Sequence, residues 1–366
     1  MSVCKIGVVG CGSIAQGIHL NILPRLPGVE VAAIAEPDPE RREAACRKVP
    51  NAKAFDDYQE VVDLPGLDAV LIALPNALHA DAAVTAFAHN KHVYLEKPVA
   101  IDLDEAWDIV EAWQSSGGKV GQVGFNYRFN PLYRAAKERL ATGVLGDLVS
   151  VRSVFSTAAA WNRLPDWKLV RETGGGVLLD LASHHIDLIH FFFGQPVCEV
   201  SAAVLSQRSE VPDSAVLNLR LAGGLLVQTF VSLSAVDEDK FEFYGSAGKL
   251  TVDRYYSVDV EVAGPRRDEA TRLKAIKQGL HSVAKSPYLL EKRRAVGNEP
   301  SYQAALGQFV TAAGGGGAAG LRPDLLDGYR SLRVVEAAEE SVRTGRVVAL
   351  TGGDEATIHR VERPLK

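Results

Sequence analysis

CKIGVVGCGSIAQGIHLNIL, residues Cys4–Leu23, decides how the first third of this chain folds. An apolar run, Ile6–Val9, ends directly in Gly10-Cys11-Gly12-Ser13-Ile14-Ala15, and apolar residues then recur at Ile14, Ile18 and Ile22. The order is strand, glycine turn, helix. Gly10 permits the tight turn, Gly12 lets backbone approach a pyrophosphate, and Ala15 is small enough for close packing of helix on sheet. Phosphates would rest on the free backbone N–H groups of Ser13 and Ile14 at the positive end of the helix.

The next strand strengthens this reading. VEVAAIAE (Val29–Glu36) ends in a carboxylate 21 positions after Ala15, where a ribose-binding acid belongs. The alternative for Glu36 is a solvated strand-end carboxylate. As a ligand it would accept from both ribose hydroxyls and repel a 2′-phosphate, which favours NAD; Arg41 and Arg42 weaken that preference and leave NADP as a second option. DAVLIALPN (Asp68–Asn76) is an almost unbroken apolar run stopped by proline, as in a buried parallel strand. His79–Lys91 reads as a helix, HVYLEKP (His92–Pro98) as a strand, Asp104–Gly118 as a helix, and Lys119–Phe129 closes the series. Strands and helices alternating at this length predict a doubly wound parallel sheet. Ligands bind such sheets beyond the carboxyl ends of the strands. Leu74, Pro75, Asn76 and His79 follow one strand, Glu96 and Lys97 the next, and Asn126 the last. Cofactor contacts are expected there.

At 366 residues the chain suggests two domains, with a boundary expected between 1–125 and 126–366. Hydrophobic content of 47% beside 23% charged residues describes a soluble globular protein. A net charge of −5 argues against general affinity for nucleic acid or an anionic membrane. Four cysteines without a CxxC pair fit a reducing cytosol. VVGC (Val8–Cys11) resembles a lipoprotein cleavage site, but only Lys5 precedes it as a basic residue and the apolar run is short. No run approaches the roughly 20 apolar residues of a membrane helix. A cytoplasmic location is expected.

Lys97 lies between Glu96 and Pro98 at the end of a strand. Most lysines are solvated surface charges, but one partly desolvated at the mouth of a nucleotide site can exchange protons near neutrality. Four stretches now resemble the Gfo/Idh/MocA oxidoreductases: GCGSIA (Gly10–Ala15), LPNALHADAAVTAFAHNKHVYLEKPVA (Leu74–Ala100), GFNYRFNP (Gly124–Pro131) and GGGVLLDLASHHID (Gly174–Asp187). The resemblance implies an N-terminal Rossmann domain and a C-terminal α/β domain on a large, mostly antiparallel open sheet. It also implies that the lysine of EKP, here Lys97, contacts both nicotinamide ribose and substrate.

The fourth stretch holds the remaining acid–base groups. Gly174-Gly175-Gly176 is a turn, and Val177–Phe193 carries no proline or glycine and reads as a helix. At about 100° per residue, Asp180 and His184 lie about 40° apart on one face, Asp187 shares their sector, and His185 points about 140° from Asp180. Asp and His at i, i+4 could supply two metal ligands, but no second cluster appears at ligand spacing, and no metal is expected. A buried salt bridge or helix cap is the plainer alternative. Proton transfer is the third, and the resemblance implies it, with Lys97, Asp180 and His184 as the catalytic group and Asp187 as the acidic residue that follows the histidine. His184 would act as general base and Lys97 would stabilise the developing alkoxide, with the sequence leaving open which of the two takes the proton first, and Asp180 would orient substrate or share the proton. His185 is the spare, either a partly buried or solvent-facing histidine or a substrate contact.

Beyond residue 126 the pattern becomes period-2: Asp147–Ser156, Val200–Gln207, Ser214–Ser234, Lys240–Asp253 and Ser257–Gly264. Strands in succession, with a Gly223-Gly224 hairpin, predict a mostly antiparallel sheet. Its uncovered face needs a partner, so a homodimer or homotetramer is expected. WNRLPDWKLVRET (Trp161–Thr173) offers aromatic faces and bidentate donors for a polyhydroxylated ring, with Arg163 and Trp167, beside Asn126, as the expected substrate contacts. Arg128, Arg134, Arg163, Lys168 and Arg171 could instead hold a phosphorylated sugar. Leu273–Arg294 reads as a basic solvated helix or oligomer contact, and Ala312–Gly320 as a flexible turn before the C-terminal helix.

The function expected is NAD(P)-dependent transfer of a hydride from a hydroxyl carbon of a sugar, cyclitol or sugar derivative. The alternatives are a glycosidase that retains NAD and oxidises its substrate transiently, and a dinucleotide-binding sensor without turnover.

Overall fold

The computed structural model describes residues 3–158, 164–207, 210–265, 287–316 and 320–351. They fall into two units. The first runs through Asn126 and adds Glu172–Gly174 and Ala295–Arg333; the second holds Tyr127–Arg171, Gly175–Arg294 and the chain from Val334.

The first unit is built on six parallel strands: β1 (Cys4–Val9), β2 (Val29–Ala35), β3 (Lys53–Phe55), β4 (Ala69–Ile72), β5 (His92–Leu95) and β6 (Gly121–Val123). Their order, β3-β2-β1-β4-β5-β6, reverses direction between β1 and β4. That is the Rossmann order, in which the switch point beside β1 receives the ligand. All four β4 residues are buried, because helices cover both faces of the sheet. Asp38 and Asp102 begin two of the helices by accepting from Arg41 N and Glu105 N. One more helix approaches so closely that a Cβ on Gly328 would stand 2.9 Å from Val99 Cβ.

A single boundary at residue 125 does not describe this unit. Helix Ser301–Thr311 places Leu306, Phe309 and Val310 in the same core as Ile6, Leu71 and Tyr94. Phe309 meets the Tyr94 ring edge-on at 5.6 Å, and Gln122 Nε2 donates to Ala305 O at 3.0 Å. The physical reason is burial: the sheet has apolar surface that its first 126 residues leave for the returning segment. Of the expected turn Ala312–Gly320, residues 317–319 lie outside the described residues. Ala312–Gly316 follows helix Ser301–Thr311 with Ala312 buried, and the helical path breaks at Gly315, φ +96°.

The second unit carries an eight-stranded sheet of β7 (Leu148–Ser156), β8 (Val197–Leu205), β9 (Ser214–Leu221), β10 (Leu226–Ser232), β11 (Glu238–Gly245), β12 (Gly248–Asp253), β13 (Glu261–Ala263) and β14 (Val348–Ala349). The order is β13-β12-β11-β7-β10-β9-β8-β14, antiparallel at every join except β7–β10. The period-2 pattern sets the faces: Ala215, Leu217, Leu219 and Leu221 point in, while Val216, Asn218 and Arg220 point out. Phe192, on helix Ser183–Phe193, covers the inner face, 5.3 Å from the Phe241 ring and 5.0 Å from Phe243. Gly224 turns the β9–β10 hairpin at φ +85°.

Candidate active site

In the first unit the glycine turn has the predicted form. Gly10 sits at φ +85°, and a Cβ there would stand 2.5 Å from the Ala73 carbonyl. At Gly12 a Cβ would meet nothing within 4 Å, so space is open beside the turn. Ser13 is exposed, and the helix opens at Ser13-Ile14 with Gln16 N donating to Gly12 O at 2.9 Å. The N–H groups there suit a diphosphate. Glu36 is buried at the end of β2 and accepts from Cys11 N at 2.8 Å; burial, then the Glu36 carboxylate, push the Cys11 thiol up to about 12. Arg41 reaches Glu36 Oε1 at 3.0 Å, and Arg42 donates to the Glu36 carbonyl at 2.5 Å. Open turn, helix-start N–H groups and strand-end carboxylate together fit NAD. The chemistry the cofactor supplies when bound is hydride acceptance.

Other strand-end residues hold the protein to itself. His79 is buried between two carbonyls, Nδ1 2.8 Å from Pro98 O and Nε2 3.0 Å from Leu74 O, and ties the loop after β4 to the loop after β5. Burial pushes its pKa below the ordinary histidine value, against the pull of both carbonyls. Asn76 Nδ2 donates to Gly174 O at 2.9 Å, and Asn126 Nδ2 to Ser301 Oγ at 2.8 Å. Glu96 meets His19 Nε2 at 2.8 Å, with both side chains buried. Pro75 is exposed; Leu74 and Lys97 are half-buried.

In the second unit, the run from Leu178 begins as a π turn (Leu178–Ala182) and continues as α-helix Ser183–Phe193. Gly176 at φ +100° opens it, and the preceding loop is laced to the turn by Gly175 N on Val170 O at 2.8 Å and Gly176 N on Lys168 O at 3.3 Å. Asp180 Oδ1 accepts from Lys168 Nζ at 2.8 Å, in a half-buried pair. His184 is 6% exposed and stacks on Tyr127, centroids 4.6 Å apart and planes 29° apart. Trp167 is half-buried, its ring 5.5 Å from Lys168 Nζ; Arg163 lies outside the described residues.

Asp180, His184 and Asp187 follow one another along the π turn and the α-helix. Each side chain has its own partner. Asp187 receives Arg128 through Nε at 2.8 Å and Nη2 at 2.6 Å, a buried bidentate pair that belongs to the scaffold. His185 is fully buried, not solvent-facing: it stacks on Phe155 at 5.3 Å and bonds Asp239 Oδ1 at 3.2 Å. Of the five cations expected for a phosphorylated sugar, Arg163 lies outside the described residues, Arg134 lies over the Phe129 ring at 5.2 Å, and three are paired with carboxylates. Arg128 is held by Asp187, Lys168 by Asp180, and Arg171 by Glu339 at 2.6 Å. Among the described residues no three His, Cys, Asp or Glu side chains converge as metal ligands. The pairing role of Lys168 was not visible in the sequence; its only signal there was a place in the loop before the glycines.

Two family descriptions match the chain: "Oxidoreductase family, NAD-binding Rossmann fold" over residues 4–125 and "GFO/IDH/MocA C-terminal domain" over residues 133–251. The chain belongs to the GFO/IDH/MocA family. This GFO/IDH/MocA oxidoreductase is similar to inositol 2-dehydrogenase of Acidothermus cellulolyticus, 26% identical over 366 residues and 97% of each chain. Its fold is that of levoglucosan dehydrogenase solved with NADH, at TM-score 0.81 and 22% identity, covering 96% of this chain and 100% of that one. It is likewise that of scyllo-inositol dehydrogenase from Lactobacillus casei, solved with NAD(H) and scyllo-inositol, at TM-score 0.76 and 20% identity over 95% and 99%. No helix among the described residues is long and apolar enough to cross a membrane.

Proposed function

We propose that this oxidoreductase oxidises a ring hydroxyl of a neutral sugar or cyclitol with NAD, using Lys97, Asp180 and His184. The observation that carries the reading is the start of the helix in the second unit. There a half-buried carboxylate, Asp180, precedes a nearly buried imidazole, His184, by four residues, and each is held by a side-chain partner. The relatives support the substrate class: an inositol 2-dehydrogenase matches over 97% of the chain. Pairing of Arg128, Lys168 and Arg171 with carboxylates supports a neutral substrate, since it leaves them spoken for.

In this mechanism His184 takes the proton of the substrate hydroxyl. An imidazole suits the step because its ordinary pKa lies near working pH. Lys97 donates a hydrogen bond to the same oxygen and stabilises its developing charge. Asp180, aimed by Lys168, accepts from a neighbouring hydroxyl and fixes the ring.

The test is a panel of neutral sugars, inositols and aryl glycosides with NAD and NADP, following reduced nicotinamide. Net NADH with a free polyol is expected. Lys97→Ala and His184→Asn should each lower kcat/KM by about 10²–10⁴-fold. Aryl release without net NADH would overturn the reading and make the enzyme a glycosidase that returns the hydride.

We also propose that the outer face of the eight-stranded sheet joins copies into a homodimer or homotetramer. Support comes from the register, which lines up Val154, Phe230, Val216 and Ala203 as an apolar row across four strands. Four free cysteines support a cytosolic setting, which cell fractionation would check.

A further inference from the structure

We propose that Arg254 and Tyr127 are positioning residues for the His184 imidazole, with Asp239 as the buried anion that fixes them. The proposal rests on the reading of His184 as the base.

Its basis is a connected set of contacts under the catalytic helix, all within the second unit. Asp239, on β11, is fully buried and accepts Arg254 Nε at 2.6 Å. It also receives His185 Nε2 at 3.2 Å and the Tyr133 hydroxyl. Burial alone would raise its carboxyl; the Arg254 guanidinium, then His185 and Tyr133, reverse this and hold it well below the usual carboxylate range. Arg254 follows β12, is itself 8% exposed, and lies over the Tyr127 ring at 4.3 Å. Tyr127 in turn carries the His184 ring at 4.6 Å. Phe155 adds an edge contact to His184 at 5.8 Å.

The anion therefore acts on the helix at two successive residues. Through His185 it pins the backbone of that turn, and through Arg254 and Tyr127 it sets the plane of the neighbouring imidazole. A general base must meet its proton within about half an ångström of the productive place, and a stacked ring is free to slide unless its partner is held. The guanidinium supplies that hold as a cation over an aromatic face. Unpaired, such a buried cation would be costly, which is why Asp239 belongs to the device.

The test reads His184 directly. Protein labelled with ¹⁵N at its nine histidines is examined by imidazole NMR, with the His184 signals assigned from His184→Asn. The variants are Tyr127→Phe, Tyr127→Leu and the double change Arg254→Met with Asp239→Asn, which removes the charge pair together and avoids stranding either ion. Tyr127→Phe should keep the His184 signals and rescue kcat to within about two-fold, because the face of the ring is retained. Tyr127→Leu and the double variant should shift or broaden the His184 signals. With the fastest polyol of the panel they should lower kcat about ten-fold or more while KM for NAD holds within about two-fold. Unmoved His184 signals in both would overturn the proposal, as would a matched fall in kcat and NAD affinity. A full-rate His184→Asn would instead overturn the choice of base, and the NMR arm keeps those two failures apart.

Discussion

Glu36 shows how much chemistry one side chain can hold before any ligand arrives. One oxygen takes the Cys11 N–H, and the other faces Arg41, whose side chain is 56% exposed and free to withdraw. The ribose hydroxyls of NAD would replace that guanidinium on the carboxylate. Hydrogen bonds to a charged group contribute about 1.5–3 kcal/mol, so Glu36→Ser should raise KM for NAD by about ten-fold or more. The same change removes the repulsion of a 2′-phosphate and leaves Arg41 to attract it. The ratio of kcat/KM for NAD to that for NADP should fall, and an unchanged ratio would show that Glu36 does not contact the ribose. The glycines and Glu36 were legible in the sequence because a local pattern dictates them. The partners of Asp187 and His185 were not, since Arg128 and Asp239 stand 59 and 54 residues away and no periodicity links them.

At the scale of elements, both helices nearest the chemistry contain a π turn: Ala15–His19 after the glycine turn and Leu178–Ala182 before His184. Each loosens the regular ladder, and side chains take up the carbonyls. Asn21 Nδ2 serves Gln16 O and Gly17 O, each at 2.9 Å, and Ser183 Oγ serves Leu179 O at 2.7 Å. Apolar spacing predicts that a helix exists but cannot separate π from α turns over five residues. The second helix is also tied down by Asp187 on Arg128. Asp187→Asn would leave a buried guanidinium without its counter-charge, a loss of about 3–5 kcal/mol. Urea unfolding should show that loss, while the remaining folded protein keeps its turnover per site. A stable Asp187→Asn with abolished turnover would instead place Asp187 in the proton-transfer group.

For the whole molecule, alternation of strand and helix identified the first sheet, and period-2 runs identified the second. Both signals come from which faces are buried, so they survive in one sequence. The outer face of the second sheet is the part that points beyond the chain. If it joins copies, Phe230→Glu places a charge in the middle of the apolar row and should shift sedimentation toward monomer without loss of secondary structure. A wild-type protein that already sediments as a monomer at micromolar concentration would sink the homo-oligomer. What the sequence hid was the second half of the first core, because Leu306, Phe309 and Val310 sit in an ordinary amphipathic helix that nothing local assigns to one sheet or the other.

That returning segment has a consequence for how the protein is made. A ribosome delivers the six parallel strands first, yet Phe309, the residue that closes over Tyr94, leaves the tunnel 183 residues after Asn126. At about 5–20 residues per second the nascent strands wait roughly 10–40 s with part of their apolar surface bare. During that wait β7 to β12 emerge and can pair among themselves, but their sheet also waits, for β14 (Val348–Ala349) to pair with β8. Neither unit is complete from a continuous stretch of chain, so both close only near the end of synthesis, the first with Ala295–Arg333 and the second with the chain from Val334.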